Sequence, residues 1–221
     1  MAVTTVIAAT NNAKKLKEIK EILEAIAPGV TVLTARDVGL GEPEEHGTTF
    51  QANALIKAEA AYVLTGGICL ADDSGLEVDA LGGAPGVYSA RYAGPTATDA
   101  DNNRKLLAAL ADVPPERRTA RYRCAIALVV PPELAHRVPA ARPVDTARGQ
   151  AFAVEVDGSC EGRVIDAPSG AGGFGYDPYM LYEPAGLTFA ELPSDKKHAV
   201  SHRGQALRKL SPSLHAVLSW P

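Results

Sequence analysis

Several common patterns are missing from this 221-residue chain, and each absence narrows what it can be. Cysteine is scarce: Cys69, Cys124 and Cys160 form no CxxC pair and leave an odd count, which points to a reducing compartment rather than a disulfide scaffold. Cys69 and Cys124 sit in apolar runs, where a cysteine behaves as a small hydrophobe. No apolar stretch approaches the ~18 residues needed to span a bilayer. The opening MAVTTVIAATNN also lacks the basic start and long apolar core of a secretion signal, so the expectation is a soluble, cytoplasmic protein with no membrane partner. Positive charge is not in excess, with 22 Lys and Arg against 26 Asp and Glu, so polymeric nucleic acid is not an expected partner. A local cluster could still hold one small polyanion.

What is present is ordinary globular composition, 46% hydrophobic and 22% charged, enough for a single domain over residues 1–221 or two closely joined lobes. The β-branched run at 3–9 stops at Thr10-Asn11-Asn12, and Leu16, Ile19, Ile22, Leu23 and Ile26 follow at helical spacing. A strand at 30–33 comes next. Thr48-x-x-Gln51 then reads as a capping box opening a helix to about Leu64, which Gly66-Gly67 ends. Residues 68–71 read as a buried strand running into Asp72-Asp73-Ser74-Gly75. Beyond Asp99 the pattern predicts a helix to about Ala111, strands at 119–130 and 150–156, a glycine-rich loop at 170–175 and a helix from about Ser201. The succession β-α-β-α-β predicts an α/β chain, α+β by some schemes. Residues 131–149, rich in proline, alanine and arginine, read as a loop insertion forming an extended hairpin connection.

Five segments could carry chemistry. Thr10, Asn12 and Lys15 lie where a first strand meets a helix N-terminus, a place that attracts anions, although Thr and Asn there read equally as a helix cap. The glycines and terminal Lys-Ser/Thr of a P-loop are absent, as is the Gly-x-Gly-x-x-Gly of a dinucleotide fold. Glu44-Glu45 precede a helix that carries Asn53 and Lys57 on one face, at i,i+4. Asp72 and Asp73 stand side by side after a buried strand. In a cleft such a pair needs a cation, and hard oxygen ligands suit Mg²⁺; one aspartate could hold metal while the other takes a proton from water. The alternative is a plain Asp-Asp-Ser-Gly turn. In the stretch Gly170–Pro178, Phe174 is set among glycines that leave its face open for stacking, or else it tucks into the core. Lys196-Lys197-His198 and Ser201-His202-Arg203-Gly204 gather donors at the start of the last helix.

Together and in order, TNNAKKLKEI (10–19), GTTFQANALIKAEAA (47–61), ADDSGLEVDALGGAPGVYSARYAG (71–94), GAGGFGYDP (170–178) and SHRGQALRKL (201–210) resemble the inosine triphosphate pyrophosphatase family, the dITP/XTP pyrophosphatases. The resemblance implies an elongated central mixed β-sheet with flanking helices forming two lobes around an active-site cleft, in a homodimer. It implies hydrolysis of ITP, dITP and XTP to monophosphate and pyrophosphate with Mg²⁺. By position, Glu45 and Asp72 would hold the metal and Asp73 would be the general base. Thr10, Asn12, Lys15, Lys57 and Ser74 would line the triphosphate site. Phe174 would stack on the purine, Gly175, Tyr176 and Asp177 would shape its pocket, and Lys197, His202 and Arg203 would contact the base. Donors from His202 and Arg203 would suit the six-position carbonyl of hypoxanthine or xanthine. The alternatives are a Maf-like pyrophosphatase acting on other nucleotides and a sensor that binds without hydrolysing.

Overall fold

The computed structural model describes residues 5–138 and 140–218 and has the mixed α/β architecture that the pattern predicts. The strands are β1 (Thr5–Ala8), β2 (Thr31–Thr34), β3 (Cys69–Val78), β4 (Thr119–Val130), β5 (Arg142–Thr146), β6 (Gly149–Val164), β7 (Met180–Tyr182) and β8 (Leu187–Thr188). The α-helices are α1 (Ala13–Ile26), α2 (Phe50–Thr65), α3 (Asp99–Ala109), α4 (Ser194–Val200) and α5 (His202–Val217). All eight strands belong to one sheet in the order β2-β1-β3-β4-β6-β7-β8, with β5 paired to β6. The sheet is mixed. β1 runs parallel to β2 and β3, with Ile7 opposite both Leu33 and Cys69, whereas β5, β6, β7 and β8 pair antiparallel.

The chain forms two compact units, and each is assembled from separate segments. The first takes the chain up to Asp73, Ala125–Asp157, and everything from Arg203 onward. Its core is built from alternate strand positions and helical stripes: Val6, Ile19, Leu23, Leu70, Leu128 and Leu207 are all buried. Each such side chain contributes about 1.5–3 kcal/mol over its exposed state. The second unit comprises Ser74–Cys124 and Gly158–His202. Leu76, Leu106, Leu110, Tyr122, Met180 and Phe189 form its core, with the Tyr122 and Phe189 rings edge to face at 5.1 Å. The three longest strands, β3, β4 and β6, contribute residues to both units.

The structure departs from the sequence expectations in several places; the strand expected at 150–156 is β6, which runs on to Val164. The cap of α2 is Thr49, whose side chain accepts from the Ala52 amide at 3.1 Å, and not Thr48. A full capping box occurs instead at Thr98 and Asp101 of α3. The strand through 68–71 does not end at the aspartates: β3 continues through Asp72, Asp73, Ser74 and Gly75 to Val78. Glycine at 75 is required there by close packing, because a Cβ would lie 2.5 Å from the Gly86 carbonyl oxygen. The segment 131–149 is not loop throughout. It holds a 3₁₀ helix at Pro132–Arg137 and β5, which returns on β6 with Thr146 opposite Gly149. Among the described residues β5 pairs with β6 alone, and an edge strand of this kind tolerates Pro143. Finally, α4 forms ahead of α5, where the sequence suggested only one helix.

Candidate active site

On β3 the pleat sends Asp72 and Asp73 to opposite faces, and each meets a different set of helices. Asp72, 1% exposed, is met from α5 and α1: its Oδ2 accepts from Arg203 Nη2 at 2.9 Å and Nε at 3.3 Å, and Lys15 Nζ lies 3.5 Å away. The same guanidinium pairs with buried Glu18 of α1. Asp73 is met from α2, where Asn53 Nδ2 donates to Oδ2 at 3.1 Å and Lys57 Nζ donates to Oδ1 at 3.2 Å. Lys57 also donates to Glu45 Oε1 at 2.9 Å, so one ammonium joins Glu45 to Asp73. Asn53 is completely buried and accepts the Gly47 amide at 2.9 Å, which fixes the chain just after Glu45. Gly47 has no room for a side chain, since a Cβ would come within 2.5 Å of Asn53 Oδ1.

These surroundings push the two aspartates apart in acidity. Burial alone would raise Asp72, but the charges of Lys15, Arg203 and Lys57 outweigh it and hold the carboxyl well below its usual range. For Asp73, burial is the largest influence and Glu45 adds to it; Lys57, Lys15 and Asn53 only partly offset the rise, leaving its carboxyl above the ordinary value. Lys57 is pushed down by burial yet raised overall by Asp73, Asp72 and Glu45, so it stays an ammonium. Adjacent carboxylates separated in this way suit different tasks, one permanently anionic and one better able to accept a proton.

At the start of α1, Asn12 is the N-cap: its Oδ1 accepts the Lys14 and Lys15 amides at 3.0 and 3.1 Å, and its own amide donates to Thr10 Oγ1 at 3.2 Å. The cap is therefore real, and the lysine beside it is aimed at Asp72. Ser74 is the next residue along β3.

In the second unit the aromatic loop is organised around Asp177, which is 4% exposed. Its carboxylate accepts from Tyr122 Oη at 2.9 Å, Lys197 Nζ at 2.7 Å and the Phe174 amide at 2.8 Å. Lys197 Nζ also stands 5.2 Å from the centre of the Phe174 ring. Tyr176 is buried and donates to the Ser89 carbonyl at 2.8 Å, and burial raises its phenol above the usual range. Gly175 adopts a left-handed φ of +62°, and its amide donates to Asp99 Oδ2 at 3.0 Å. His202 stacks on Tyr122 with ring centres 4.8 Å apart.

A family model of the Ham1 family matches residues 6–213. The chain belongs to the Ham1 family. It is 46% identical to a dITP/XTP pyrophosphatase of Desulforamulus reducens, covering 95% of this chain and 94% of that one. A dITP/XTP pyrophosphatase of Bacillus subtilis is 44% identical over 95% and 96% of the two chains. Among solved structures, a HAM1 protein from Coxiella burnetii matches with a TM-score of 0.78 at 38% identity, covering 95% of this chain and 98% of that chain.

In this Ham1-family chain, then, the first unit gathers Lys15, Glu45, Lys57, Asp72 and Asp73, and the second gathers Phe174, Gly175, Tyr176, Asp177, Lys197 and His202. The Arg203 guanidinium, 1% exposed, pairs with both Asp72 and Glu18. Sequence reasoning missed Glu18, Tyr122, Asp99 and Asn103. Glu18 had a signal: it shares the buried stripe of α1 with Ile19, Ile22 and Leu23, where a lone charge implies a buried partner.

Among the described residues, no three His, Cys, Asp or Glu side chains are placed to hold a metal ion together. The donor set nevertheless suits a hard divalent cation. Glu18, Glu45, Asp72 and Asp73 offer hard carboxylate oxygens beside Lys15, Lys57 and Arg203. Mg²⁺ commonly uses one or two protein carboxylates and takes the rest of its shell from phosphate and water.

Proposed function

We infer that this protein hydrolyses non-standard purine nucleoside triphosphates, ITP, dITP and XTP, to the monophosphate and pyrophosphate. Membership of the Ham1 family and the names of its relatives support the reaction class. The observation that carries the chemistry is the opposed environment of Asp72 and Asp73 on consecutive positions of β3.

In this reading Asp73 is the general base. It accepts a proton from the water whose oxygen forms the new bond to phosphorus as the anhydride bond to pyrophosphate breaks. Asn53 and Lys57 hold the Asp73 carboxylate in place, and Lys57 and Lys15 oppose the charge that develops on phosphate oxygens. Glu45 and Asp72 would hold Mg²⁺, which would neutralise triphosphate charge and stabilise the leaving pyrophosphate. Thr10, Asn12 and Ser74 line the triphosphate site. Phe174 stacks on the purine, Gly175, Tyr176 and Asp177 shape its surroundings, and Lys197 braces Asp177 beside the ring. His202 and Arg203 are the donors for the six-position carbonyl, and Arg203 also holds Asp72. An adenine amino group would leave such a donor unpaired, at about 1–3 kcal/mol for a buried group. The reading includes a cytoplasmic homodimer, which rests on the family resemblance and is testable by light scattering.

Product analysis tests the reaction directly. IMP and pyrophosphate in equal amounts from ITP support it, and IDP with orthophosphate would contradict it.

A further inference from the structure

Gly175, immediately after Phe174, has both of its backbone polar groups held by side chains of α3. Its amide donates to Asp99 Oδ2 at 3.0 Å, and its carbonyl accepts from Asn103 Nδ2 at 2.9 Å. Asp99 and Asn103 are four residues apart and project from one face of the helix. The Phe174 amide itself is held by Asp177. Phe174 is thus pinned through its own amide and through the residue that follows it.

The loop needs such pins, because Gly170, Gly173 and Gly175 all take left-handed angles that an unrestrained glycine leaves readily. Ordering free residues costs conformational entropy, which a ligand would have to supply if the protein did not. α3 has other anchors besides these two side chains. Its capping box uses Thr98 and Asp101, Leu106 anchors it in the core, and Asn102 ties it to the preceding segment through the Ala93 amide and the Ala90 carbonyl. Asn103 is 7% exposed, and its Oδ1 accepts no hydrogen bond from the described residues, so the contact to the Gly175 carbonyl is made by its amide nitrogen.

We propose that Asn103 and Asp99 are positioning residues that hold the Phe174 loop in its stacking conformation and so set nucleotide affinity without touching the substrate. The proposal rests on the reading of Phe174 as the base-stacking residue.

A double-mutant cycle on the full-length enzyme with ITP separates the two ideas. Asn103→Ala should raise KM about tenfold with kcat changed less than about twofold, and melting curves would report any loss of fold. Asp99→Asn should shift KM the same way by a smaller factor. In a Phe174→Ala background, Asn103→Ala should add nothing, because the ring it positions is gone. Full persistence of the Asn103→Ala effect in that background, or no effect on KM in the first place, overturns the positioning role while leaving the Phe174 reading intact. An unchanged KM in Phe174→Ala alone sinks the stacking reading and this proposal with it. Should Asn103→Ala fail to fold, the same cycle run with Asp99→Asn gives the answer.

Discussion

Arg203 Nη2 lies 2.9 Å from Asp72 Oδ2, with both side chains essentially shut off from solvent. Removing Arg203 would take a buried opposite charge from both Asp72 and Glu18. Arg203→Met should therefore destabilise the protein by about 3–5 kcal/mol, measurable by urea unfolding at pH 7. The pH dependence has a definite sign. Asp72 is held below the ordinary aspartate value of 3.8, so its stabilisation is present above that pH and is lost as pH falls through the depressed folded value. In Arg203→Met that acid-side slope should be shallower, and an unchanged slope would show that the arginine does not set Asp72's acidity.

Asp73→Asn preserves shape and the contact with Asn53 but removes the proton acceptor. Turnover of ITP should fall by roughly 10²–10⁴-fold while nucleotide binding, followed by calorimetry, stays close to wild type. Near-wild-type turnover would remove Asp73 from the role of base.

Because Asp73 must be ionised to act as base, kcat/KM should fall as pH drops through its raised pKa. Lys57 lowers that value, so Lys57→Met should move the acid limb to higher pH as well as reducing the rate. A limb that stays put, or moves down, would mean that another group titrates.

Burial pushes the thiols of Cys69 and Cys160 up to about 11, so at pH 8 only about one in a thousand would be thiolate. All three cysteines are buried and unpaired by disulfides. Iodoacetamide at pH 8 should leave the native protein unmodified and label all three thiols in denaturant, as read by mass spectrometry.

The periodic parts of the fold were legible in the sequence. Leu16 to Ile26 gave α1, and β4 spans the residues predicted for it because its apolar run is long and bounded by polar turns. Local chemistry misled where tertiary contacts decided. Asp-Asp-Ser-Gly favours a turn in isolation, yet Arg203, more than a hundred residues away, neutralises Asp72 inside the strand. Residues 131–149 looked like loop because proline and arginine hide a strand that survives as an edge partner of β6. For the site, the aspartates, Lys57 and the Phe174 loop stood out through their unusual settings. Asn103 and Tyr122 did not, since what matters in them is a partner that only the fold brings near.

The measurement that most directly tests the central claim is pyrophosphate release from ITP, dITP, XTP, ATP and GTP, each with Mg²⁺ and with EDTA. The account predicts metal-dependent release from the first three, with kcat/KM well above that for ATP and GTP. Equal turnover of ATP, undiminished release in EDTA, or binding of ITP without any hydrolysis would contradict it.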